Sequence, residues 1–234
     1  MEERKLVIVT GASRGIGRET AISLVREHGA HVLAVSRDAA ALKSLVDEQP
    51  NGEIEHLTLD LSLDHAPAEL LQAVGGRRVH GLVHNAGAML NRPMGTYTSQ
   101  QLTALYCVNV FAPLLISQAL LKNLEGDPPG HVVHISSMGG FQDSAKFPGL
   151  AAYSASKAAL ACMSQCLAEE LKERRIRSNC LAIGAVATEM LEEAFPGYRA
   201  PTTAKDMGSF IARFVLEGHN LFNGKVLPVA STTP

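Results

Sequence analysis

The chain has 234 residues, of which 46% are apolar and 19% are charged. This composition supports a sizeable buried core and excludes an intrinsically disordered chain. Its 21 lysines and arginines nearly balance 23 acidic residues, which leaves a net charge of -2. A near-neutral chain without a basic block is poorly suited to bind nucleic acid or an anionic membrane by charge. We therefore expect a small-molecule partner, with no nucleic acid and no membrane.

The four cysteines are too few and too scattered for a disulfide scaffold. Cys162 and Cys166 lie four residues apart, but no other cysteine or histidine follows at metal-ligand spacing, which predicts buried free thiols and no metal site. The N-terminal MEERK (1–5) is charged and lacks the apolar core of a signal peptide. No apolar run approaches the roughly 20 residues of a membrane span. These features predict a cytoplasmic protein.

Short β-branched runs alternate with longer helical patterns along the whole chain. Strands are predicted at 5–10, 31–36, 54–59, 81–85, 131–136, 177–183 and 225–229. Helices are predicted at 15–28, 39–49, 65–73, 99–124, 151–174 and 203–217. Parallel strands need long crossovers, and right-handed crossovers place helices on both faces of a sheet. The pattern predicts one α/β domain over 1–234, a Rossmann-type doubly wound parallel sheet of about seven strands.

The first strand runs into TGASRGIG (10–17), where glycines occupy positions 11, 15 and 17. Gly11 permits a tight turn after the strand. Gly15 and Gly17 let the backbone and the first helical turn approach a pyrophosphate, which accepts hydrogen bonds from free N–H groups of the helix. A plain strand-to-helix turn is the alternative. The position between the first strand and the first helix favours nucleotide binding.

The end of the second strand predicts which dinucleotide is bound. Ser36 and Arg37 stand there, Asp38 follows, and Arg14 lies in the glycine loop. Two guanidinium groups suit the 2′-phosphate of NADP(H), because arginine makes forked, charge-assisted contacts with phosphate. Asp38 as a ligand of the ribose would instead suit NAD(H), so that cofactor stays open as the less favoured alternative.

Three side chains form a candidate catalytic group. Tyr153 and Lys157 in YSASK lie at i and i+4, so they share one helix face. A nearby ammonium should stabilise tyrosinate and lower the pKa of Tyr153, which would make the phenol a better proton shuttle. Ser137 ends the fifth strand and can donate a hydrogen bond to a substrate oxygen. Catalytic groups of open parallel sheets gather at such strand ends.

With these motifs the chain resembles the short-chain dehydrogenase/reductase family, in its single-domain form, over nearly its whole length. The shared motifs are TGASRGIG (10–17), LDLS (59–62), HNAG (84–87), VNV (108–110), ISS (135–137), YSASK (153–157) and RSNCLAIGAVAT (177–188). The resemblance implies a catalytic tetrad of Asn109, Ser137, Tyr153 and Lys157. It also implies a homodimer or homotetramer that pairs through the two long helices at 99–124 and 151–174.

The resemblance assigns a role to each member of the tetrad. Tyr153 would be the acid in carbonyl reduction and the base in alcohol oxidation, while Ser137 polarises the carbonyl. Lys157 would hold the nicotinamide ribose, and Asn109 would anchor a water of the proton relay. Pro113 adds a local reason for that water: it lacks the N–H that would bond the Asn109 carbonyl in mid-helix, although a simple kink is compatible with the same residue.

A cofactor site carries over from the family in the same way. Asp60 would meet the adenine, Asn85 to Gly87 would pass beside its ribose, and Val186 and Thr188 would bind the carboxamide. The complete set is Gly11, Ser13, Arg14, Gly15, Ile16, Gly17, Arg37, Asp60, Asn85, Ala86, Gly87, Tyr153, Lys157, Val186 and Thr188. His84 replaces the family's usual first asparagine, a change we interpret as structural, and Ile183-Gly184 replaces its usual Pro-Gly.

Two segments predict the substrate pocket. The stretch between Ser137 and Tyr153 is longer than is usual in the family, with the extra residues within 141–147. A short substrate lid is predicted near 189–201. Phe141, Phe147 and Phe195 are candidate wall residues for a pocket that takes small or flat carbonyl compounds. The alternative is that the lid's apolar residues pack as a small satellite core.

The leading functional hypothesis is an NADPH-dependent enzyme that interconverts a carbonyl and a secondary alcohol. A 3-oxoacyl-thioester reductase is the nearest alternative. A non-catalytic dinucleotide sensor usually lacks the tyrosine or the lysine that this chain keeps, and nucleotide-sugar epimerases are generally longer. Oligomerisation is predicted from apolar residues in the two long helices: Leu114, Leu115, Ile116, Leu160, Met163 and Leu167. Their burial within one subunit is the alternative.

Overall fold

The computed structural model describes residues 4–49 and 53–230. Residues 1–3, on which the expectation about a signal peptide partly rests, lie outside these ranges. The strands are β1 (Leu6–Thr10), β2 (His31–Ser36), β3 (Ile54–Thr58), β4 (Gly81–His84), β5 (Gly130–Ser137), β6 (Ile176–Ile183), β7 (Val186–Ala187), β8 (Thr202–Thr203) and β9 (Val226–Val229). Seven of them form one parallel sheet in the order β3-β2-β1-β4-β5-β6-β9. The predicted seven-stranded, doubly wound sheet is confirmed.

Helices connect the strands on both sides of the sheet. They are α1 (Gly15–Arg26), α2 (Ala39–Asp47), α3 (Ala66–Val74), α4 (Ser99–Tyr106), α5 (Ala112–Ala119), α6 (Leu121–Leu124), α7 (Ala151–Glu170), α8 (Glu189–Ala194) and α9 (Ala204–Glu217). The strand order reverses between β1 and β4, and ligands of such sheets bind at this switch point, beyond the carboxyl ends of the strands. The glycine loop and Ser137 therefore both lie at the carboxyl ends of the central strands.

The core lies in two layers because side chains of each strand alternate between the faces. Val7 and Val9 pack with residues of α1, α2 and α9, whereas Leu6 and Ile8 pack with α3, α5, α6 and α7. Every residue of β1 is buried. Helices covering both faces explain why the strand is continuously apolar in sequence rather than alternating.

The predicted helix over 99–124 is divided in the structure. A π-helix, Cys107–Phe111, separates α4 from α5, and Pro113 stands in the first turn of α5. The run Ser99–Ala119 is long and apolar enough to cross a membrane by length and composition, which corrects the expectation that no run approaches that length. In the structure this run packs against the rest of the protein, since Leu105, Asn109 and Ile116 are buried. Core helices of globular proteins can also be long and apolar enough to meet the criterion for a membrane span.

The apolar surface predicted on the two long helices is only partly exposed. Ile116, Leu160 and Leu167 are buried within the subunit, which corrects the expectation for them. Leu114 and Leu115 are exposed. Phe111, which precedes α5, is exposed beside them, so the apolar surface is narrower than predicted and is centred on these three side chains.

The four cysteines are free thiols. Cys180 is buried, but Cys162 and Cys166 are exposed on α7, which corrects the expectation of buried thiols there. Within the ranges that the structure describes, no cluster of three histidine, cysteine or acidic side chains could hold a metal ion.

Candidate active site

The glycine loop between β1 and α1 has the backbone that its sequence requires. Gly11 and Gly15 have φ values of 68° and 54°, in the left-handed region that favours glycine. A Cβ on Gly11 would lie 2.8 Å from the Ala86 Cα, so the loop packs directly on the segment after β4. In this part of the chain no side chain caps α1 at Arg14 and no acidic residue occupies its first turn. The first N–H groups of α1 are therefore available to an anion.

Thr10 and Asn85 hold the loop in place. The Thr10 hydroxyl accepts hydrogen bonds from the backbone N–H groups of Asn85 and Ala86, each at 3.1 Å. The Asn85 side-chain amide donates to the carbonyl oxygens of Thr10 and Gly11 at 3.0 and 3.2 Å. These bonds tie the end of β1 to the end of β4, so the glycine loop is fixed relative to the central strands.

A cavity of about 710 Å³ lies at this edge of the sheet. Most of the predicted cofactor and catalytic residues line it: Gly11, Ser13, Arg14, Gly15, Ile16, Arg37, Asp60, Asn85, Ala86, Gly87, Ser137, Tyr153, Lys157, Val186 and Thr188. Gly17 lies behind the wall, where a Cβ would clash with the Gly11 carbonyl and the Asn85 amide. Asn109 also lies behind the wall and is fully buried.

A second cavity, of about 610 Å³, is lined by both predicted arginines, Arg14 and Arg37. Ser36 also lines this cavity and donates a hydrogen bond to the Ser13 hydroxyl at 2.8 Å. Asp38 accepts a hydrogen bond from the Ala41 N–H at 3.0 Å and so caps α2. Asp38, the alternative ligand of the ribose, therefore has one carboxylate oxygen bonded to the backbone.

Asp60 follows β3 at the far side of the main cavity. Its carboxylate accepts hydrogen bonds from the backbone N–H and the hydroxyl of Ser62, at 2.9 and 2.7 Å. The backbone bond is the main reason that the pKa of Asp60 is lowered, while partial burial opposes it and the Arg37 guanidinium, 4.0 Å away, assists. Asp60 is therefore held as a carboxylate.

Tyr153 and Lys157 face the cavity from α7, and both are almost fully buried. The Lys157 ammonium donates to the Ile135 carbonyl at 2.9 Å and lies 5.9 Å from the centre of the Tyr153 ring. Burial lowers the pKa of Lys157 to about 8. Burial also raises the pKa of Tyr153, although a hydrogen bond with Ser137 partly offsets this.

The expectation that Lys157 lowers the pKa of Tyr153 is therefore wrong for the protein without a ligand. The physical reason is desolvation, which penalises the phenolate more than its neighbours stabilise it. A tyrosine in this state holds its proton at neutral pH.

Asn109 connects the π-helix to the active site. Its side chain exchanges two hydrogen bonds with the backbone of Ala88, at 2.8 and 3.0 Å, and its amide donates to the Ser156 hydroxyl at 2.9 Å. A Cβ on Gly87 would lie 3.2 Å from the Lys157 Nζ and 3.4 Å from the Asn109 Oδ1. A side chain at position 87 would therefore press on both groups.

The segment predicted as a lid forms a short strand pair and a helix. β7 pairs with β8, and the Thr188 hydroxyl caps α8 by accepting from the Leu191 N–H at 3.3 Å. The Phe147 and Phe195 rings meet edge to face, with centroids 6.3 Å apart, and both line the cavity. Of the segment 141–147, Phe147 lines the cavity whereas Phe141 does not, which corrects the expectation for Phe141.

Sequence reasoning missed several residues of this site. Thr10, Ser156 and Glu189 were not predicted, and Ser36 was noted without a role. Ser36 and Thr10 end strands whose carboxyl ends meet at the site, so strand position alone could have indicated them. Glu189 pairs with a residue 175 positions away, and no local pattern indicates such a contact.

The glycine loop before α1 and the side chains of Ser137, Tyr153 and Lys157 line one cavity, an arrangement typical of a dinucleotide-dependent oxidoreductase. A family profile described as short chain dehydrogenase matches residues 5–199. The chain belongs to the short-chain dehydrogenase/reductase family, whose members act on CH–OH or carbonyl groups with nicotinamide cofactors.

Two of the similar proteins are named as reductases. The chain is 35% identical over 199 residues to L-xylulose reductase of Caenorhabditis elegans, covering 80% of this chain and 73% of that one. It is 35% identical over 184 residues to carbonyl reductase [NADPH] 2 of Sus scrofa, covering 78% and 72%. The structure of a short chain dehydrogenase from Escherichia coli CFT073 complexed with NADPH is similar, with a TM-score of 0.85, 31% identity and coverage of 96% and 95%.

Proposed function

We propose that the protein is an NADPH-dependent oxidoreductase that interconverts a carbonyl and a secondary alcohol. The observation that carries this proposal is that Ser137, Tyr153 and Lys157 line the same cavity as the glycine loop. A relative named for carbonyl reduction with NADPH and a similar structure complexed with NADPH support it.

The residues present fit a phosphorylated dinucleotide. The open N–H groups of α1 and the close packing of Gly11 leave room for a pyrophosphate beside the backbone. Arg14 and Arg37 line one cavity and would hold the 2′-phosphate, since forked guanidinium groups match phosphate oxygens. Asp38 caps α2 through one carboxylate oxygen, and NAD(H) stays the alternative cofactor because the other oxygen could accept from the ribose hydroxyls.

When bound, the nicotinamide dinucleotide supplies or accepts a hydride at the substrate carbon. In reduction, Tyr153 donates its phenolic proton to the carbonyl oxygen, and Ser137 orients and polarises that oxygen by a hydrogen bond. The raised pKa of Tyr153 keeps the phenol protonated until charge develops on the substrate. In oxidation the same phenol accepts the proton of the alcohol.

Lys157 and Asn109 support Tyr153 in this proposal. The pKa of about 8 leaves Lys157 largely charged at neutral pH, so its ammonium can stabilise the phenolate formed after proton donation. Asn109 fixes the loop at Ala88 and the helix at Ser156. A water bound at the Asn109 carbonyl would return a proton toward Lys157.

The substrate side of the cavity favours small or flat carbonyl compounds. The candidate lid over 189–201 contributes Met190, Phe195 and Tyr198 to the wall, and Phe147 faces them. Of these four side chains only Tyr198 carries a polar group, so a polyhydroxylated substrate would leave hydroxyl groups unpaired against the other three, at a cost of about 1–3 kcal/mol for each buried group. We propose an apolar ketone, diketone or quinone as the substrate class.

A substrate panel tests the proposal. The purified protein is mixed with NADPH or NADH and with apolar diketones, quinones, ketose sugars or acyl thioesters, and loss of the reduced nicotinamide absorbance is followed. We expect turnover of diketones or quinones with NADPH. Absence of substrate-dependent oxidation across the panel would contradict it, and faster turnover of acyl thioesters would favour the thioester reductase instead.

A further inference from the structure

Glu189 is the first residue of α8, and it reaches the glycine loop. Its Oε2 accepts a hydrogen bond from the Arg14 Nη1 at 2.6 Å. The Glu193 Oε1, one helical turn further on, lies 3.9 Å from the same nitrogen. Two carboxylates of the candidate lid therefore surround the guanidinium that is proposed to bind the cofactor's 2′-phosphate.

The ion pair between Arg14 and Glu189 is shared by the two cavities. Arg14 and Glu189 line both cavities, the larger with Tyr153 and the smaller with Arg37. The other carboxylate in the smaller cavity, that of Asp38, is bonded to the Ala41 N–H. Glu189 thus places a negative charge beside Arg14, in a cavity that Arg18 and Arg37 also line and where an anionic group of a ligand would lie.

A carboxylate and a phosphate compete for the same donors. The guanidinium offers a planar fork that suits either group, and a phosphate dianion close to the Glu189 carboxylate would be repelled by it. The pair is also exposed, with 55% of the Arg14 side chain and 68% of the Glu189 side chain accessible. Exposed ion pairs are weak, so this one can be exchanged for a doubly charged ligand.

We propose that Glu189 is a specificity-determining residue: its carboxylate competes with the cofactor's 2′-phosphate for Arg14 and thereby limits the preference for NADPH over NADH. The inference rests on the proposed NADPH dependence and adds a residue to it. Binding of the phosphate releases Glu189 from Arg14, so the N-terminal end of α8 loses this ion pair with the glycine loop when NADPH is bound and keeps the packing of Thr188 near Gly15.

The test measures NADPH and NADH dissociation constants for Glu189→Gln by fluorescence titration. We expect NADPH to bind about two- to fivefold more tightly, the range of an exposed ion pair, with a clearly smaller change for NADH. Glu192→Gln is the matched control, because Glu192 lies on the same helix and its carboxylate accepts the Gly197 N–H instead. The control should leave both constants unchanged.

A double-mutant cycle identifies the partner. In an Arg14→Ala background, Glu189→Gln should tighten NADPH binding clearly less than in the wild-type background, because only the direct repulsion between the carboxylate and the phosphate is then relieved. The double variant Glu189→Gln/Glu193→Gln covers the case in which Glu193 moves in to replace the first carboxylate, and it should tighten NADPH binding at least as much.

Each other outcome contradicts the inference. If Glu189→Gln weakens the binding of both cofactors, the ion pair holds the lid closed over the cofactor. If Glu189→Gln tightens the binding of both equally, the carboxylate acts on the charge that the two cofactors share and does not compete with the 2′-phosphate. If the wild-type protein prefers NADPH but Glu189→Gln and Glu189→Gln/Glu193→Gln leave the dissociation constants of both cofactors unchanged, this inference alone is overturned. Equal wild-type affinities for NADPH and NADH would overturn the proposed cofactor preference as well.

Discussion

The side-chain amide of Asn109 donates a hydrogen bond to the Ser156 hydroxyl at 2.9 Å, which links the π-helix to the helix of the catalytic residues. The Ser156 hydroxyl in turn donates to the Tyr153 carbonyl at 2.7 Å, one turn earlier on α7. Lys157 is the next residue along the chain. The turn of α7 that carries both Tyr153 and Lys157 is therefore held by a buried asparagine, and their positions depend on the fold as much as on their spacing.

Cofactor preference is expected to depend on Arg37. Replacement of Arg37 by alanine should weaken NADPH binding by about 1.5–3 kcal/mol, because a charge-assisted hydrogen bond to the 2′-phosphate is lost. NADH binding should change little. Isothermal titration with both cofactors checks this, with Arg213→Ala on the exposed face of α9 as the control. Equal NADPH and NADH affinities in the wild-type protein would contradict the prediction.

The contact between Phe147 and Phe195 is expected to serve substrate binding. Phe195→Ala removes one side of this pair, so KM should rise for apolar ketones while NADPH affinity stays unchanged. Phe141→Ala is the matched control, because Phe141 lies outside the cavity wall. If Phe195→Ala lowers thermal stability and leaves the kinetics untouched, Phe195 belongs to a satellite core and the lid assignment fails.

The strands and the site differ in how far the sequence predicts them. The buried central strands such as β1 are continuous apolar runs and can be recognised without the structure, whereas the edge strand β3 (IEHLT) mixes apolar and polar residues. The pair β7 and β8 has two residues in each strand, too few for any periodic signal. The motifs located Tyr153 and Lys157, but the direction of the Tyr153 pKa shift depends on burial. The pairing of Arg14 with Glu189 depends on a loop crossing the cavity, which no local pattern encodes.

Oligomerisation is expected through the exposed apolar side chains Phe111, Leu114 and Leu115. Light scattering at micromolar concentration should give a mass above that of one chain. Leu115→Glu should shift the protein toward the monomer, because a charge would be buried in the interface. Leu221→Glu, at a side chain that is 83% exposed elsewhere, should leave the mass unchanged. A monomeric wild-type protein would contradict this prediction.

Buried histidines are expected to make the fold sensitive to acid. Burial lowers the pKa of His84 to about 3, and the His84 ring bonds the Ser117 hydroxyl at 2.9 Å. In the unfolded chain its pKa is about 6.5, so the unfolded state binds more protons as the pH falls below that value. The free energy of unfolding should therefore decrease with falling pH, by up to about 1.4 kcal/mol per pH unit from this one group.

The test of this pH dependence is the variant His84→Asn, which keeps a polar side chain beside Ser117 and removes the titration. Urea unfolding at about pH 7 and about pH 5 should show a smaller loss of stability for the variant than for the wild-type protein. The exposed His56, replaced in the same way, is the control. A wild-type stability that does not change between the two conditions would contradict the account of a buried neutral histidine.

The central claim is that the Tyr153 hydroxyl transfers the proton during carbonyl reduction and contributes little to the affinity for NADPH. The most direct measurement compares steady-state NADPH oxidation and NADPH binding in the wild-type protein, Tyr153→Phe and the control Tyr106→Phe. The account predicts that Tyr153→Phe loses at least about a hundredfold in turnover, the effect of removing a general acid, and binds NADPH normally. Full turnover by Tyr153→Phe, with binding intact, would contradict it.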